Sequence, residues 1–261
     1  MIKLILFYSE GLPFDNGINL INEKNKMINK YLNSFDEIIV YSPRILKEKG
    51  YADYCKEYKN AGVILANAEQ KNIGFSAWKP LICRLELEKS LKDDIIVYHD
   101  VNCSKYKVYL TYTNIRETIN EILNKCNYDF FLSQERVQLK HNCKLNVLQE
   151  LGNNDIFNYN FYQLCVNFII FKNTEISLAL LNEWEQACKI DPWINGELYE
   201  IPLPFFQWHC PEQSILNNII ANWIKINKNG IDKKYPFVYL EDRDLNKIKS
   251  IIDYNYLQYL P

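Results

Sequence analysis

The chain has 261 residues, 48% of them hydrophobic and 24% charged, with 30 lysines and arginines against 32 aspartates and glutamates. The apolar share is ample for a core and excludes a disordered chain, while a net charge of −2 excludes a basic nucleic-acid binder. Length favours one domain over residues 1–261, and an aromatic share of 14% supplies rings that fill cores or stack on sugars and bases.

Helix and strand signals alternate along the chain, as in a layered α/β domain. Residues 3–8 form a continuous apolar run, too short for a signal peptide or a membrane span, and read as a buried first strand. A loop with Gly11 and Pro13 leads to a helical period over residues 17–32, with Ile18, Ile21, Ile28 and Leu32 on one face. Residues 37–41 read as a second strand and the charged stretch 46–59 as helical. Pro80 suits the first turn of a helix carrying Leu81, Ile82, Leu85 and Leu91, so Trp78 and Lys79 are placed just before its start. Residues 95–98 read as a buried strand ending at Asp100, which puts a carboxylate where ligands of open α/β sheets sit. Strands over 128–133 and 164–171, a helix over 175–188, a loop punctuated by Pro202 and Pro204, and a helix over 212–223 complete the pattern.

Eight cysteines are scattered singly with no C-x-x-C pair, and only His99, His141 and His209 are present. This argues against a structural zinc site and for buried free thiols in a reducing compartment, the cytoplasm. No stretch reaches the roughly 20 apolar residues of a membrane span, so membrane contact is expected to be peripheral at most.

Three segments carry chemistry. Asp100-Val101-Asn102 places two oxygen-bearing side chains at a strand end, which suits a hard cation such as Mn²⁺ or Mg²⁺; a turn with a capping Asp is the simpler alternative. Gly74-Phe75-Ser76-Ala77-Trp78-Lys79-Pro80 brings an indole and a cation to a helix N-terminus, a setting for phosphate, unless Trp78 is a core anchor and Lys79 a solvated side chain. Trp208-His209-Cys210-Pro211-Glu212-Gln213-Ser214 opens a helix. Glu212 is there either a first-turn charge favoured by the helix dipole or a general base, and His209 either a packed ring or a ligand.

Taken together, GFSAWKPLICRLELEKSLKDDIIVYHDVN and the later VNFIIFKN, Trp184 and H-x-x-E-Q-S elements resemble bacterial glycosyltransferases of the GT-A type found in capsule and lipopolysaccharide gene clusters. Their pattern is roughly G-x-x-x-W-K-P, a helix, D-x-hydrophobic-x-Y-x-D-x-G, and H-x-x-D-Q-S, and the likeness spans about residues 1–223. Two departures stand out: Asn102 replaces the second acid or glycine, and Glu212 replaces the usual aspartate.

The resemblance implies an α/β GT-A fold with a mixed, mostly parallel central sheet flanked by helices, a nucleotide-sugar donor, UDP favoured, held by residues 1–103, and a glycan or lipid-linked glycan acceptor on residues 104–261. Phe7, Tyr8, Ser9, Trp78, Lys79, Tyr98 and Asn102 are then donor-binding. Asp100, Asn102 and His209 are candidate ligands for Mn²⁺ or Mg²⁺, while Asp100, Glu212 and Gln213 carry catalysis, with retention slightly favoured over inversion. Lys225, Lys228, Lys233 and Lys234 are further candidates to meet the diphosphate, a solvated face being the simpler alternative for most of them. Two alternatives accompany this reading: a sugar nucleotidyltransferase, which would want a Gly- and Arg-rich loop after the first strand where FYSEGLPF stands, and a catalytically inactive glycan- or nucleotide-binding domain of the same fold.

Overall fold

The structure, a computed structural model, describes residues 1–10, 20–59, 71–101, 115–126, 129–228 and 237–239. The first strand, β1 (Ile2–Phe7), is buried along its whole length, as a continuous apolar run with a layer on each face must be. Its side chains alternate between two cores. Ile2, Leu4 and Leu6 pack with Met27 and Tyr31 of α1 (Leu20–Tyr31) and with Ile115, Ile119 and Leu123 of α4 (Ile115–Cys126). Ile5 and Phe7 face the other way, into a larger core completed by α3 (Trp78–Glu88), α7 (Glu175–Cys188) and α9 (Pro211–Lys228).

Between these helix layers lies a sheet in the order β2-β1-β5-β7-β6-β8, made of β2 (Glu37–Tyr41), β5 (Ile95–Asp100), β6 (Phe130–Gln138), β7 (Tyr162–Lys172) and β8 (Phe237–Tyr239) besides β1. β1 runs parallel to β2 and β5, and β6 parallel to β8, but β7 is antiparallel to both β5 and β6. The sheet is therefore mixed rather than mostly parallel. An apolar run does not disclose strand direction, and β7 enters the sheet reversed after the short helices α5 (Leu145–Glu150) and α6 (Ile156–Asn160).

Where β7 meets β6 the register breaks: Leu132 pairs with Ile169 but Ser133 with Cys165. At this irregularity Asn217 of α9 hydrogen-bonds the backbone of Leu164 in both senses, accepting from its N–H at 2.6 Å and donating to its carbonyl at 3.1 Å. The amide thereby ties α9 to the sheet, satisfying backbone groups that would otherwise be costly to bury.

Helix α7 occupies the residues its sequence period marks, with Thr174 capping Ser177 N. The helix expected over 46–59 is instead a short α2 (Pro43–Glu48), a 3-10 turn (Ala52–Cys55) and β3 (Glu57–Lys59), which pairs with β4 (Lys71–Ile73) as a separate two-stranded sheet. Gly50, at φ +85°, ends the helical path there. After α7 comes α8 (Asp191–Ile194). Among the described residues no helix is long and apolar enough to cross a membrane, and Cys55, Cys83, Cys143, Cys165, Cys188 and Cys210 form no disulfide.

Candidate functional site

The chain leaves β1 towards β2 on one side and returns as β5 on the other, so the carboxyl ends of β1 and β5 form a topological switch point, the usual ligand crevice of an open α/β sheet. Phe7 pairs in register with Asp100 there. Ser9 follows; its buried hydroxyl has no hydrogen-bond partner among the described residues. A ligand atom in this crevice would relieve that penalty.

Trp78 and Lys79 are the first two residues of α3 rather than its preceding loop, with Pro80 third. The turn before them is strained: Gly74, Phe75 and Ser76 all have positive φ (57°, 42° and 63°). A Cβ on Gly74 would lie 2.1 Å from the Tyr54 carbonyl oxygen, so glycine alone fits. This turn swings α3 so that Lys79, only 1% exposed, projects across the ends of β5 and β7.

Lys79 joins the three motif segments. Its Nζ donates to Glu212 Oε1 at 2.9 Å and to the Val166 carbonyl at 3.3 Å, and lies 3.4 Å from Asp100 Oδ1 and 5.0 Å from the Tyr98 ring centre. Tyr98 donates its hydroxyl to the same Asp100 oxygen. Burial alone would push the Lys79 ammonium towards losing its proton, but the carboxylates of Asp100 and Glu212 offset this and raise its pKa above the ordinary lysine range. Burial and the adjacent Asp100 carboxylate likewise raise the Tyr98 phenol, which stays a donor. Glu212 sits in the first turn of α9, and its backbone carbonyl accepts a 2.9 Å hydrogen bond from Trp184 Nε1, fixing the helix start against α7.

Two carboxylates and one ammonium leave this cluster with a net charge of −1. Asp100 Oδ1 is engaged by Tyr98 and Lys79, whereas Oδ2 carries no hydrogen bond among the described residues. A hard carboxylate oxygen in a net negative cluster suits one position in the shell of a divalent cation, and among the described residues no group of three or more His, Cys, Asp or Glu side chains is placed to hold one.

The remaining candidate residues fall into separate surroundings. Phe7 and Trp78 are buried and stack on each other, ring centres 3.5 Å apart and 12° from parallel, so they wall the crevice from within and offer no open face to a ligand. Tyr8 is half-buried under Lys24 Nζ. Gln213 turns its amide towards Gln163 Oε1 at 3.1 Å and Glu135 Oε2 at 3.4 Å, a neighbouring polar patch built by β6 and β7 that the motifs do not announce. Asn102, Lys233 and Lys234 lie outside the described residues. Lys225 pairs with Asp155 at 3.0 Å.

His209 is corrected from candidate metal ligand to packed ring. Its Nε2 donates to the Trp193 carbonyl at 2.8 Å and its Nδ1 accepts from the Lys144 N–H at 3.4 Å, which leaves no lone pair for a metal. Burial first, then the nearby Lys144 ammonium, lower its pKa to about 3. His99, which donates from Nδ1 to the Asp100 carbonyl at 2.9 Å and packs edge-on against Phe168, is lowered to about 4, chiefly by burial.

Both rings are neutral when folded and protonate near 6.5 when unfolded, so the unfolded chain binds more protons below that pH. Stability from these groups is complete above pH 6.5 and is lost as pH falls towards 4. On going from neutral pH to pH 5, each is expected to cost about 2 kcal/mol. Urea unfolding of His209→Asn at both pH values should show a pH slope about one proton shallower than wild type; an unchanged slope would contradict the assignment.

A comparison with protein-family models gives no match along the chain, and a comparison with curated proteins gives none.

Proposed function

We propose that the protein is a glycosyltransferase with a GT-A type fold, moving a sugar from a nucleotide-diphosphate donor, UDP favoured, to a hydroxyl of a surface polysaccharide. The observation that carries this reading is convergence. The W-K-P, Y-x-D and H-x-x-E-Q-S segments, which resemble one family's pattern, meet through Lys79, within 3.4 Å of Asp100 and 2.9 Å of Glu212, at the switch point of the sheet.

Breaking an anomeric C–O bond puts charge on the diphosphate and leaves an oxocarbenium-like carbon, so the enzyme must stabilise the one and face the other correctly. Asp100 is fixed by Tyr98 and Lys79 through Oδ1, which leaves Oδ2 for a ligand. A Mn²⁺ or Mg²⁺ ion bound there would neutralise the leaving diphosphate. Lys79 holds Asp100 and Glu212 in place, which makes it a positioning residue rather than a direct phosphate ligand. With Oε1 taken by Lys79, Glu212 keeps Oε2 for the anomeric carbon in a retaining reaction or for the acceptor hydroxyl in an inverting one. The orphaned Ser9 hydroxyl suits the base or ribose of the donor.

The test is nucleotide release from a panel of UDP-, GDP- and CMP-sugars, with and without Mn²⁺, in the presence of oligosaccharide acceptors. Metal-dependent release of UDP from at least one UDP-sugar is expected. Release from none of the donors under any condition would overturn the reading.

A further inference from the structure

A cavity is lined by none of Lys79, Tyr98, Asp100 or Glu212. It has a volume of about 530 Å³ and opens between the 3-10 turn Ala52–Cys55, the small β3–β4 sheet and the outer faces of α3 and α7. That volume falls within the roughly 300–1,000 Å³ of small-molecule sites.

Its chemistry is specific. Tyr51, Tyr54 and Tyr58 supply aromatic walls. Tyr51 and Tyr54 meet edge-on with ring centres 6.3 Å apart, and Tyr58 is held flat against Phe75 at 5.1 Å, so the rings are fixed in advance of any ligand. The floor is electrically closed: Glu185 accepts from Tyr54 at 2.5 Å and from Arg84 at 2.6 Å, and pairs with Lys189 at 3.2 Å. Tyr58 is likewise paired, donating to Asp191 at 2.9 Å. At the rim, exposed Asp53 and Lys56 make no ion pair among the described residues, which leaves one carboxylate and one ammonium for a ligand.

Acidic and basic side chains balance around the cavity, so it has no surplus positive charge for a phosphate and no surplus negative charge for a cation. Flat rings accept the C–H face of a pyranose, while a carboxylate and an ammonium accept from and donate to its hydroxyls. From this we infer that the cavity is a binding site for a neutral saccharide of one or two rings, separate from the Asp100 crevice. The inference does not depend on the transferase reading.

Saturation-transfer NMR and calorimetry with maltose, lactose and chitobiose test it, with glucuronate and glucosamine as charged controls. Saturable binding of at least one neutral sugar is expected, about tenfold weaker in both Asp53→Asn and Tyr51→Ala. Asp53 is exposed, so its substitution leaves the fold intact, and the thermal midpoint of that variant should equal that of wild type. Three results would overturn the inference: no neutral sugar binds; a charged control binds in preference; or sugar binding survives both rim variants and disappears in Asp100→Asn, which would place the sugar in the crevice.

Discussion

Lys79→Met is expected to lower unfolding stability by about 3–5 kcal/mol, the range for removing one partner of a buried charge cluster. Lys79 is the cation between two carboxylates that are themselves largely shielded, with side chains 18% and 13% exposed for Asp100 and Glu212. Methionine fills the volume of the side-chain stem but leaves like charges facing each other in a region of low dielectric. Adding Glu212→Gln should return part of the lost stability by removing one of the stranded charges. Urea unfolding of wild type, single and double variants checks this. A Lys79→Met protein as stable as wild type would mean the lysine is a solvated side chain after all.

Asp100→Asn should behave in the opposite manner, with an intact fold and lost chemistry. The amide keeps an oxygen to accept from Tyr98, and Lys79 retains Glu212 as its partner, so stability should change by no more than about 1 kcal/mol. What disappears is the negative charge aimed into the crevice. On the proposed function, turnover of the donor should fall by at least ~100-fold, the scale seen when one preorganised electrostatic group is removed. The thermal midpoint and kcat measured on the same preparation separate the two effects. Wild-type turnover would move the reacting centre elsewhere.

Much of the scaffold was legible because its central strands are buried on both faces and read as apolar runs, as at β1 and β5, and because α7 carries a clean helical period behind a threonine cap. Strand direction was not, since residues 162–172 have the same composition whichever way they run. The break of the helical path after Glu48 depended on a backbone angle at Gly50 that a charged, helix-compatible composition conceals. At the site, Asp100, Lys79 and Glu212 were each visible as candidates, but their union was not. A lysine in a loop is solvated by default, and only the left-handed turn at Gly74, Phe75 and Ser76 aims this one inward. The same turn brings Trp78 against Phe7, converting expected stacking platforms into core. Glu135 and Gln163, the partners of Gln213, lacked any signal beyond their polarity within strands.

On the proposed function, the cluster joined by Lys79 at the ends of β1 and β5 binds a nucleotide diphosphate. Calorimetric titration of UDP into wild type and Asp100→Asn, each with and without Mn²⁺, tests it most directly. Saturable binding to wild type that is strengthened by Mn²⁺, and loss of that strengthening in the variant, is the predicted result. Binding that is absent from wild type, or identical in both proteins under both conditions, would contradict the claim.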